Sequence, residues 1–389
     1  MKIFVSSYIY VYERFFRMFD FFENKDLLVF VVPKIWKAKG GKIKVVLPEK
    51  SEFKIIKTWA PFYHSHYPII KGMLKGWMPF TGRILRKYAQ KGDVLLGSGE
   101  PNLLGTYLYS RLAKKMHLKH VFLTFQNIDY DKRLSGAKLK ITNWLLRQNV
   151  KLSAGALCGT RQAYGVLGPY LNDKIKVAVI PQTGVDVDLF KPGVESDFRR
   201  KFNLEDKFIF LFAAVFDERK GVFTTINAFK KTLEELPDSR LVMIGIGKLW
   251  FQAKDLVSQL RITDKVTFIE WLPNHELAGI FSSVDVLVHP SEPHKGWEEQ
   301  MGSTLLQASS SGLPVIATNI GGIPESIINQ KTGILVEPRN VEALHEAMIY
   351  LARYPEVRAE FGRQGREHVL DNFSHKVVAE RLERFLTSL

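Results

Sequence analysis

The chain has 389 residues, is 46% hydrophobic and carries a formal net charge of +15. This length exceeds one ordinary hydrophobic core, so we expect a globular protein with two domains of nearly 200 residues each. The single cysteine, Cys158, excludes an internal disulfide. The longest apolar run, Leu27 to Pro33, is too short to span a bilayer, which needs roughly 20 residues. The start of the chain shows no signal peptide, which favours the cytoplasm.

The positive charge is concentrated in the first half of the chain. Residues 1–190 hold 31 Lys and Arg against 13 Asp and Glu, whereas residues 191–389 hold 24 against 27. Such asymmetry indicates that the first half meets something anionic, such as a phospholipid surface, a lipid diphosphate or a charged polymer. The alternative is a lysine-rich surface that only keeps the protein soluble.

Short strand-like runs alternate with helical stretches along the whole chain, as in parallel sheets covered by helices. In the first half, helical periodicity favours helices over Leu103–Met116 and Ala137–Asn149. The predicted strands are, in chain order, Ile3–Ser6, Leu27–Val32, Phe53–Thr58, Val94–Leu96, His120–Thr124, Ala154–Cys158, Val177–Ile180, Phe208–Val215, Arg240–Ile244, Val266–Ile269, Val284–His289, Pro314–Thr318 and Gly333–Val336. The sequence therefore predicts an α/β protein with two similar sheets.

The segment Glu298–Ser326 combines a carboxylate, a helix start and a glycine turn. Glu299 precedes Gly302, Ser303 and Thr304, which open an amphipathic run, so backbone N–H groups at a helix N-terminus would face whatever Glu299 holds. Gln307 lies on the same predicted helix. Such an arrangement suits a diphosphate, and the segment predicts a nucleotide-sugar site.

This segment resembles the signature of the retaining GT-B glycosyltransferases of family 4. The match covers Glu299, Gly302, Ala308, Gly312–Val315 and the Gly321–Glu325 turn, and Gln307 stands where the family has a second Glu that binds the ribose. The resemblance implies a GT-B fold, with two Rossmann-like domains facing each other across a cleft. It implies transfer of a sugar from a nucleotide-diphosphate sugar with retention and without a metal or other cofactor, and it assigns Glu299 to a sugar hydroxyl. A helix-capping acid is the alternative for Glu299.

The stretch Pro181–Pro192 is similar to the family's interdomain linker, so we place an acceptor-binding domain at residues 1–187 and a donor-binding domain at residues 188–374. Asp186 and Asp188 fall in this linker and fit turn residues better than metal ligands. The last helix, 375–389, packs back on the first domain in such folds, although its amphipathic face would also suit a partner.

Lys220, before Gly221 at a strand-to-helix turn, matches the family lysine that grips the diphosphate, with a plain surface lysine as the alternative. The companion arginine is replaced by Val215, and Arg219 is the candidate substitute. Gly245 and Gly247 resemble the family's glycine turn beside the nucleotide. Glu270 stands where the family usually has glycine.

Candidate acceptor-side residues are Glu100, Gln126, Asn127, His64 and His66. Glu100 follows a strand and either touches the acceptor or caps the helix at Asn102. Gln126 stands where many family members have His, and we expect it to hydrogen-bond a sugar, because an amide cannot shuttle a proton. The His64 and His66 pair is more typical of a structural turn than of catalysis.

Two segments of the basic half combine apolar or aromatic residues with cations. Ile69–Lys91 has the composition of an interfacial helix, interrupted at Pro79, and Tyr8–Phe22 is rich in aromatic residues. Together they favour peripheral binding to the inner face of the cell membrane and a lipid-linked or cell-envelope glycan acceptor.

The sequence thus predicts a metal-independent retaining glycosyltransferase that does not bind nucleic acid. The alternatives are a GT-B-type sugar-nucleotide 2-epimerase and a catalytically degenerate glycan-binding subunit.

Overall fold

A computed structural model describes residues 1–38, 41–45, 47–48, 51–61, 72–97 and 99–389. The chain divides into two compact units, the first formed by Met1–Gly184 with His375–Leu389 and the second by Val185–Ser374. The division falls after Gly184, whereas the sequence predicts it after Val187.

The first unit is built on a parallel sheet of seven strands. Its elements are β1 Ile3–Ser6, β2 Leu28–Pro33, β3 Ile35–Ala38, β4 Gly41–Lys44, β5 Lys54–Thr58, α1 Thr81–Tyr88, β6 Val94–Gly97, α2 Leu104–Lys115, β7 Lys119–Thr124, α3 Gly136–Leu152, β8 Gly155–Cys158, α4 Arg161–Leu167 and β9 Lys176–Val179. The strand order is β5-β2-β1-β6-β7-β8-β9, and β3 pairs with β4 in a separate antiparallel hairpin that the sequence did not predict. The chain changes direction across the sheet between β1 and β6, which are neighbours.

The second unit is built on a parallel sheet of six strands. Its elements are α5 Phe198–Lys201, β10 Ile209–Ala213, α6 Val222–Glu235, β11 Arg240–Ile244, α7 Trp250–Gln259, β12 Val266–Ile269, α8 Asn274–Phe281, β13 Val286–His289, α9 Ser303–Ser310, β14 Val315–Thr318, α10 Ile323–Ser326, β15 Gly333–Val336, α11 Val341–Arg353 and α12 Pro355–Asn372. The order β12-β11-β10-β13-β14-β15 places the change of direction between β10 and β13. Open α/β sheets bind ligands beyond the carboxyl ends of the strands at such points.

The C-terminal helix, α13 (His375–Thr387), belongs to the first unit. Its apolar face shares a core with β1 and β2 through Val378, Ala379, Leu382 and Leu386. The buried carboxylate of Glu383 accepts hydrogen bonds from the backbone N–H groups of Glu23 (2.8 Å) and Asn24 (3.1 Å). The helix is therefore fixed to this unit by both apolar packing and charge-assisted hydrogen bonds.

The two proposed membrane segments differ from the sequence-based interpretation. In Tyr8–Phe22, the aromatic side chains of Tyr10, Phe16, Phe19 and Phe22 are buried in the core that also receives α13, whereas Tyr12 and Phe21 are exposed. In Ile69–Lys91, residues 69–71 lie outside the described residues, and the rest forms turns followed by the short helix α1. The described part of Ile69–Lys91 is therefore not one interfacial helix, whereas Tyr8–Phe22 supplies rings both to the core and to the surface. None of the helices described by the structure combines the length and hydropathy needed to cross a bilayer.

Candidate functional site

Two loops meet where the sheet of the second unit changes direction. The loop after β10 carries Lys220, and the loop after β13 carries Ser291 and Glu299. Because β10 and β13 are adjacent and parallel, with Phe210 opposite Val286, the ends of both strands lie at one edge of the sheet. The fold thereby brings together the two predicted catalytic residues, Lys220 and Glu299.

Glu299 is the centre of a buried polar cluster. The Lys220 ammonium forms an ion pair with its Oε2. The Ser291 hydroxyl donates to the same oxygen at 3.0 Å, and Nε2 of His289 lies 3.6 Å from it. Burial alone would raise the pKa of Glu299, but His289 and the Lys220 charge outweigh it and hold the pKa well below its ordinary value. Burial lowers the pKa of His289. The cluster therefore holds an ionised carboxylate beside a neutral imidazole.

A glycine allows the Lys220 loop to approach the neighbouring loop closely. Gly221 has a φ of +66°, and a Cβ built there would lie 2.0 Å from the carbonyl oxygen of Pro290. Beside it, the backbone N–H of Glu292 donates to the carbonyl of Arg219 at 2.8 Å. Only glycine fits this left-handed, crowded position. The glycine thus fixes the distance between the Lys220 loop and the loop that leads to Glu299.

The helix α9 begins four residues after Glu299. Gly302, in the left-handed region with a φ of +69°, precedes Ser303, the first helical residue. The N–H groups in the first turn of a helix lack intrahelical acceptors and carry its positive dipole end. The carbonyl of Glu299 accepts from the N–H of Gly322 at 3.0 Å, which ties the site to the glycine turn after β14. Ser303 and Thr304 therefore stand where an anion would be bound.

The Gly245–Gly247 turn supports the site from the adjacent strand, β11. A Cβ on Gly245 would lie 1.9 Å from the carbonyl oxygen of Ala214, and one on Gly247 would lie 2.4 Å from that of Phe216. The N–H of Phe216 donates to the Ile246 carbonyl at 3.2 Å. Both glycines thus let this turn pack directly against the loop that carries Lys220.

The departures from the family pattern at the donor side all lie in the second unit. Val215 is 56% exposed, and Gln307 is half-buried on α9. Arg219 faces Asp217, whose carboxylate accepts from its Nε at 3.1 Å. Glu270 is exposed directly after β12. Arg219 is thus paired within its own turn.

Trp297 and His289 are site residues that the sequence analysis did not single out. The Trp297 ring lies 4.6 Å from the guanidinium carbon of Arg219 and 5.3 Å from the Lys220 ammonium. Lys295 and Gly296 both have positive φ, and this tight turn presents the ring. A lone aromatic residue in a loop gives no clear sequence signal. His289 is the last residue of the buried strand β13, and its position at a strand end is a signal that the sequence does offer.

In the first unit, Glu100 connects the ends of two neighbouring strands. Its carboxylate accepts from the Thr124 hydroxyl at 2.7 Å and the Phe125 N–H at 2.8 Å. Burial raises the pKa of Glu100. The helix α2 begins after Leu103 without a side-chain cap. The capping alternative for Glu100 is therefore wrong, because its hydrogen bonds go to the end of β7 instead.

Of the other acceptor-side candidates, Gln126 and Asn127 lie in the described loop after β7 and the two histidines do not lie in the described residues. The Gln126 side chain donates to the Ile128 carbonyl at 2.5 Å and accepts from Arg133 at 2.7 Å. Asn127 is buried. His64 and His66 lie outside the described residues. Gln126 is thus positioned by its own loop, with Arg133 beside it.

An aromatic and cationic group lies beside Glu100, where the first sheet changes direction, and it joins residues of the two predicted membrane segments to Trp36. The rings of Tyr8 and Trp36 stack at 4.8 Å, and the Lys75 ammonium lies 5.1 Å from the Tyr8 ring. Burial, and secondarily the Glu100 charge, raises the pKa of Tyr8 to about 12. Burial lowers the pKa of Lys75 against the opposing effect of Glu100. Their positions along the chain did not predict that these three side chains would meet.

No group of three or more His, Cys, Asp or Glu side chains in the described ranges is arranged to hold a metal ion.

Comparison with known proteins matches the second unit to a family. Residues 194–368 fit the model of glycosyl transferases group 1. This segment is similar to that family. The GDP-mannose-dependent alpha-(1-6)-phosphatidylinositol monomannoside mannosyltransferase of Mycolicibacterium smegmatis is 30% identical over 208 residues, which cover 52% of this chain and 54% of that protein. The chain spans about half the length of the curated relatives it matches.

Solved structures resemble the whole chain. Anabaena HepE in complex with UDP has a TM-score of 0.73 at 15% identity, with 100% of both chains covered. Sucrose-phosphate synthase from Thermosynechococcus elongatus has a TM-score of 0.72 at 18% identity, covering 99% of this chain and 98% of that one. The predicted GT-B fold is confirmed, and family 4 is consistent with the group 1 match.

Proposed function

We propose that the protein is a retaining glycosyltransferase that moves a sugar from a nucleotide-diphosphate sugar to a lipid-linked or cell-envelope glycan, without a metal ion. The observation that carries this proposal is the Lys220–Glu299 ion pair beside the start of α9. It unites a cation, an ionised carboxylate and helix N–H groups at the edge of the sheet where such folds bind nucleotides.

Each part of the cluster has a role in the proposed reaction. Cleavage of the sugar–phosphate bond leaves negative charge on the diphosphate, which Lys220 and the first turn of α9 stabilise. When the diphosphate takes the Lys220 ammonium, Glu299 loses its cationic partner and accepts a hydrogen bond from a sugar hydroxyl. Ser291 holds the carboxylate in place through its 3.0 Å hydrogen bond. Donor binding therefore converts an internal ion pair into two contacts with the substrate.

The relatives suggest which donor to test first. The name of the mycobacterial relative specifies GDP-mannose and a phosphatidylinositol mannoside. HepE was solved with UDP and with UDP-glucose, and it shares only the fold at 15% identity. We therefore propose GDP-mannose as the donor and a phosphoinositide-type glycolipid as the acceptor class. Gln307 offers a neutral amide to the ribose, so we expect weaker donor binding than a carboxylate would give.

The first unit is proposed to bind the acceptor. Tyr8, Glu100 and Gln126 follow the carboxyl ends of β1, β6 and β7, which are neighbours in its sheet, and the buried ring of Trp36 stacks on Tyr8. An aromatic ring beside a carboxylate suits a sugar, because the sugar can pack an apolar face on the ring and donate hydroxyl hydrogen bonds to the acid. The basic charge of this unit supports peripheral binding to the inner face of the cell membrane.

Transfer is tested by incubating the protein with radiolabelled GDP-mannose and a phosphatidylinositol glycolipid, with UDP-glucose as the comparison donor. We expect a labelled glycolipid whose new linkage keeps the α configuration of the donor by NMR. Release of nucleotide without any acceptor would indicate the epimerase. Binding of donor without turnover would indicate the degenerate subunit, and both results would contradict the proposal.

A further inference from the structure

Three helices cover one face of the first unit's sheet. Leu85 of α1 and Tyr109 of α2 share a core with Leu95 of β6, and α3 packs next to α2. The Ser110 hydroxyl of α2 donates to Asn149 of α3 at 3.0 Å. The opposite face of the sheet receives α13. The outer surfaces of α1, α2 and α3 therefore form one layer, which we call the α1–α3 face.

The α1–α3 face is cationic throughout. The three helices contain ten Lys and Arg residues and no Asp or Glu. All ten are exposed: Arg83, Arg86, Lys87, Arg111, Lys114, Lys115, Lys138, Lys140, Arg147 and Lys151. The exposed side of α13 carries acids as well as bases, for example Glu380 beside Arg381. These three helices thus carry ten of the 31 cationic residues of the first half without any acid among them.

Apolar side chains project from the same face. Ile141 and Trp144, one turn apart on α3, are 51% and 49% exposed. Trp144 contacts Tyr107 of α2, with ring centroids 5.2 Å apart. At the α1 end, Trp59 and Phe80 are exposed and their ring centroids lie 5.9 Å apart. Cations and apolar side chains thus lie together on this face.

We propose that the α1–α3 face docks on an anionic lipid bilayer, with the cations at the headgroups and Ile141 and Trp144 inserted at the headgroup boundary. Bilayers offer both the negative surface and the apolar layer that this combination requires. The inference rests on the proposed membrane-bound acceptor and moves the contact from the two predicted segments to this face. A polyanion would match the cations alone and leave Ile141 without a partner.

The role of the cations on the α1–α3 face is tested by sedimentation with vesicles of phosphatidylglycerol and phosphatidylcholine, compared with vesicles of phosphatidylcholine alone. The wild-type protein is expected to bind the anionic vesicles and to be released by salt. Lys140→Glu with Arg147→Glu should lower binding at least about tenfold. The matched control, Lys376→Glu with Arg384→Glu, makes the same charge change on α13 and should lower it much less. Equal losses in both double variants would overturn the docking face.

Insertion is tested with lipids brominated near the headgroup, which quench tryptophan fluorescence. Part of the quenching should disappear in Trp144→Phe, and Ile141→Ser should weaken binding, whereas Phe251→Ser on α7 of the second unit should not. Binding to heparin but not to vesicles would overturn the lipid proposal in favour of a polyanion.

GDP titration separates the two proposals, because it reports the second unit without lipid. Vesicle binding without nucleotide binding would leave the α1–α3 face standing and contradict the proposed transferase.

Discussion

The Lys220 ammonium and the Glu299 carboxylate form an ion pair although 79 residues separate them in the chain. Their side chains are only 16% and 10% exposed, so solvent screens the pair weakly. Breaking such a pair leaves an uncompensated charge, whereas a ligand that supplies a new anion to Lys220 and a new donor to Glu299 does not. The ion pair therefore joins the same two groups that the proposed donor would use.

Replacement of Glu299 tests its proposed role. Glu299→Gln should reduce sugar transfer at least about 100-fold, since the amide cannot supply the charged acceptor. It should also lower the free energy of unfolding by about 3 kcal/mol, because Lys220 loses its partner. Glu298→Gln, one residue away, is the control. Transfer rates within a fewfold of wild type for Glu299→Gln would remove Glu299 from the reaction.

Gly221→Ala tests whether the close approach of the two loops shapes the site. The added Cβ meets the Pro290 carbonyl at 2.0 Å in a left-handed backbone, so we expect a loss above about 2 kcal/mol and weaker nucleotide binding. Gly165→Ala on α4 meets nothing within 4 Å and should stabilise the protein by about 0.5–1 kcal/mol. Denaturant unfolding measures both variants. If Gly221→Ala were as stable as the wild-type protein, the two loops would move apart without a loss of free energy, and the close approach would not shape the site.

Glu383→Ala tests the attachment of α13. Removal of the carboxylate leaves the Glu23 and Asn24 amides without their acceptor, at a cost of about 1–3 kcal/mol. Cys158, the single cysteine, is buried in the first unit, so the rate at which a thiol reagent labels it reports opening of that unit. Labelling should accelerate in Glu383→Ala and remain unchanged in Glu380→Ala, whose side chain is exposed. Identical rates in both variants would mean that apolar packing alone holds the helix.

Acid should lower the free energy of unfolding of the first unit, because His120 is buried there. Burial lowers the pKa of His120 from 6.5 to about 3, so the unfolded chain binds a proton that the folded unit rejects. Stability is therefore lost as the pH falls through this window, by up to ~1.4 kcal/mol per pH unit. His120→Gln should show a shallower decline in unfolding titrations at successive pH values. His117→Asn, at an exposed position, should keep the wild-type slope, and parallel slopes for all three proteins would contradict the assignment.

Much of the fold could be predicted because both sheets are parallel and buried, so their strands appear as apolar runs. Arg240–Ile244, Val266–Ile269 and Gly333–Val336 have the predicted bounds. The predicted Phe208–Val215 strand is too long, since the backbone leaves the sheet at Ala213 and Val215 is exposed. The β3–β4 hairpin was missed because lysines interrupt its apolar pattern.

The aromatic segment Tyr8–Phe22 shows what local sequence could not reveal. Its rings are covered by α13, and the hydrogen bond from Glu23 to Glu383 spans 360 residues. The same limit applies to the site. Glu299 and Lys220 were identified because their motifs are local, whereas the Trp297 ring over Lys220 and the Tyr8–Trp36 stack arise only from tertiary packing.

The most direct test of the account is calorimetric titration of GDP, without a sugar, into three proteins. If Lys220 holds the diphosphate and Glu299 competes for it, Lys220→Met should weaken binding at least about tenfold relative to wild type. Glu299→Gln should bind GDP as tightly as wild type or more tightly. Lys231→Met, an exposed lysine on α6, should change nothing. A dissociation constant unchanged in Lys220→Met, or binding lost equally in Lys220→Met and Glu299→Gln, would contradict the proposed donor site.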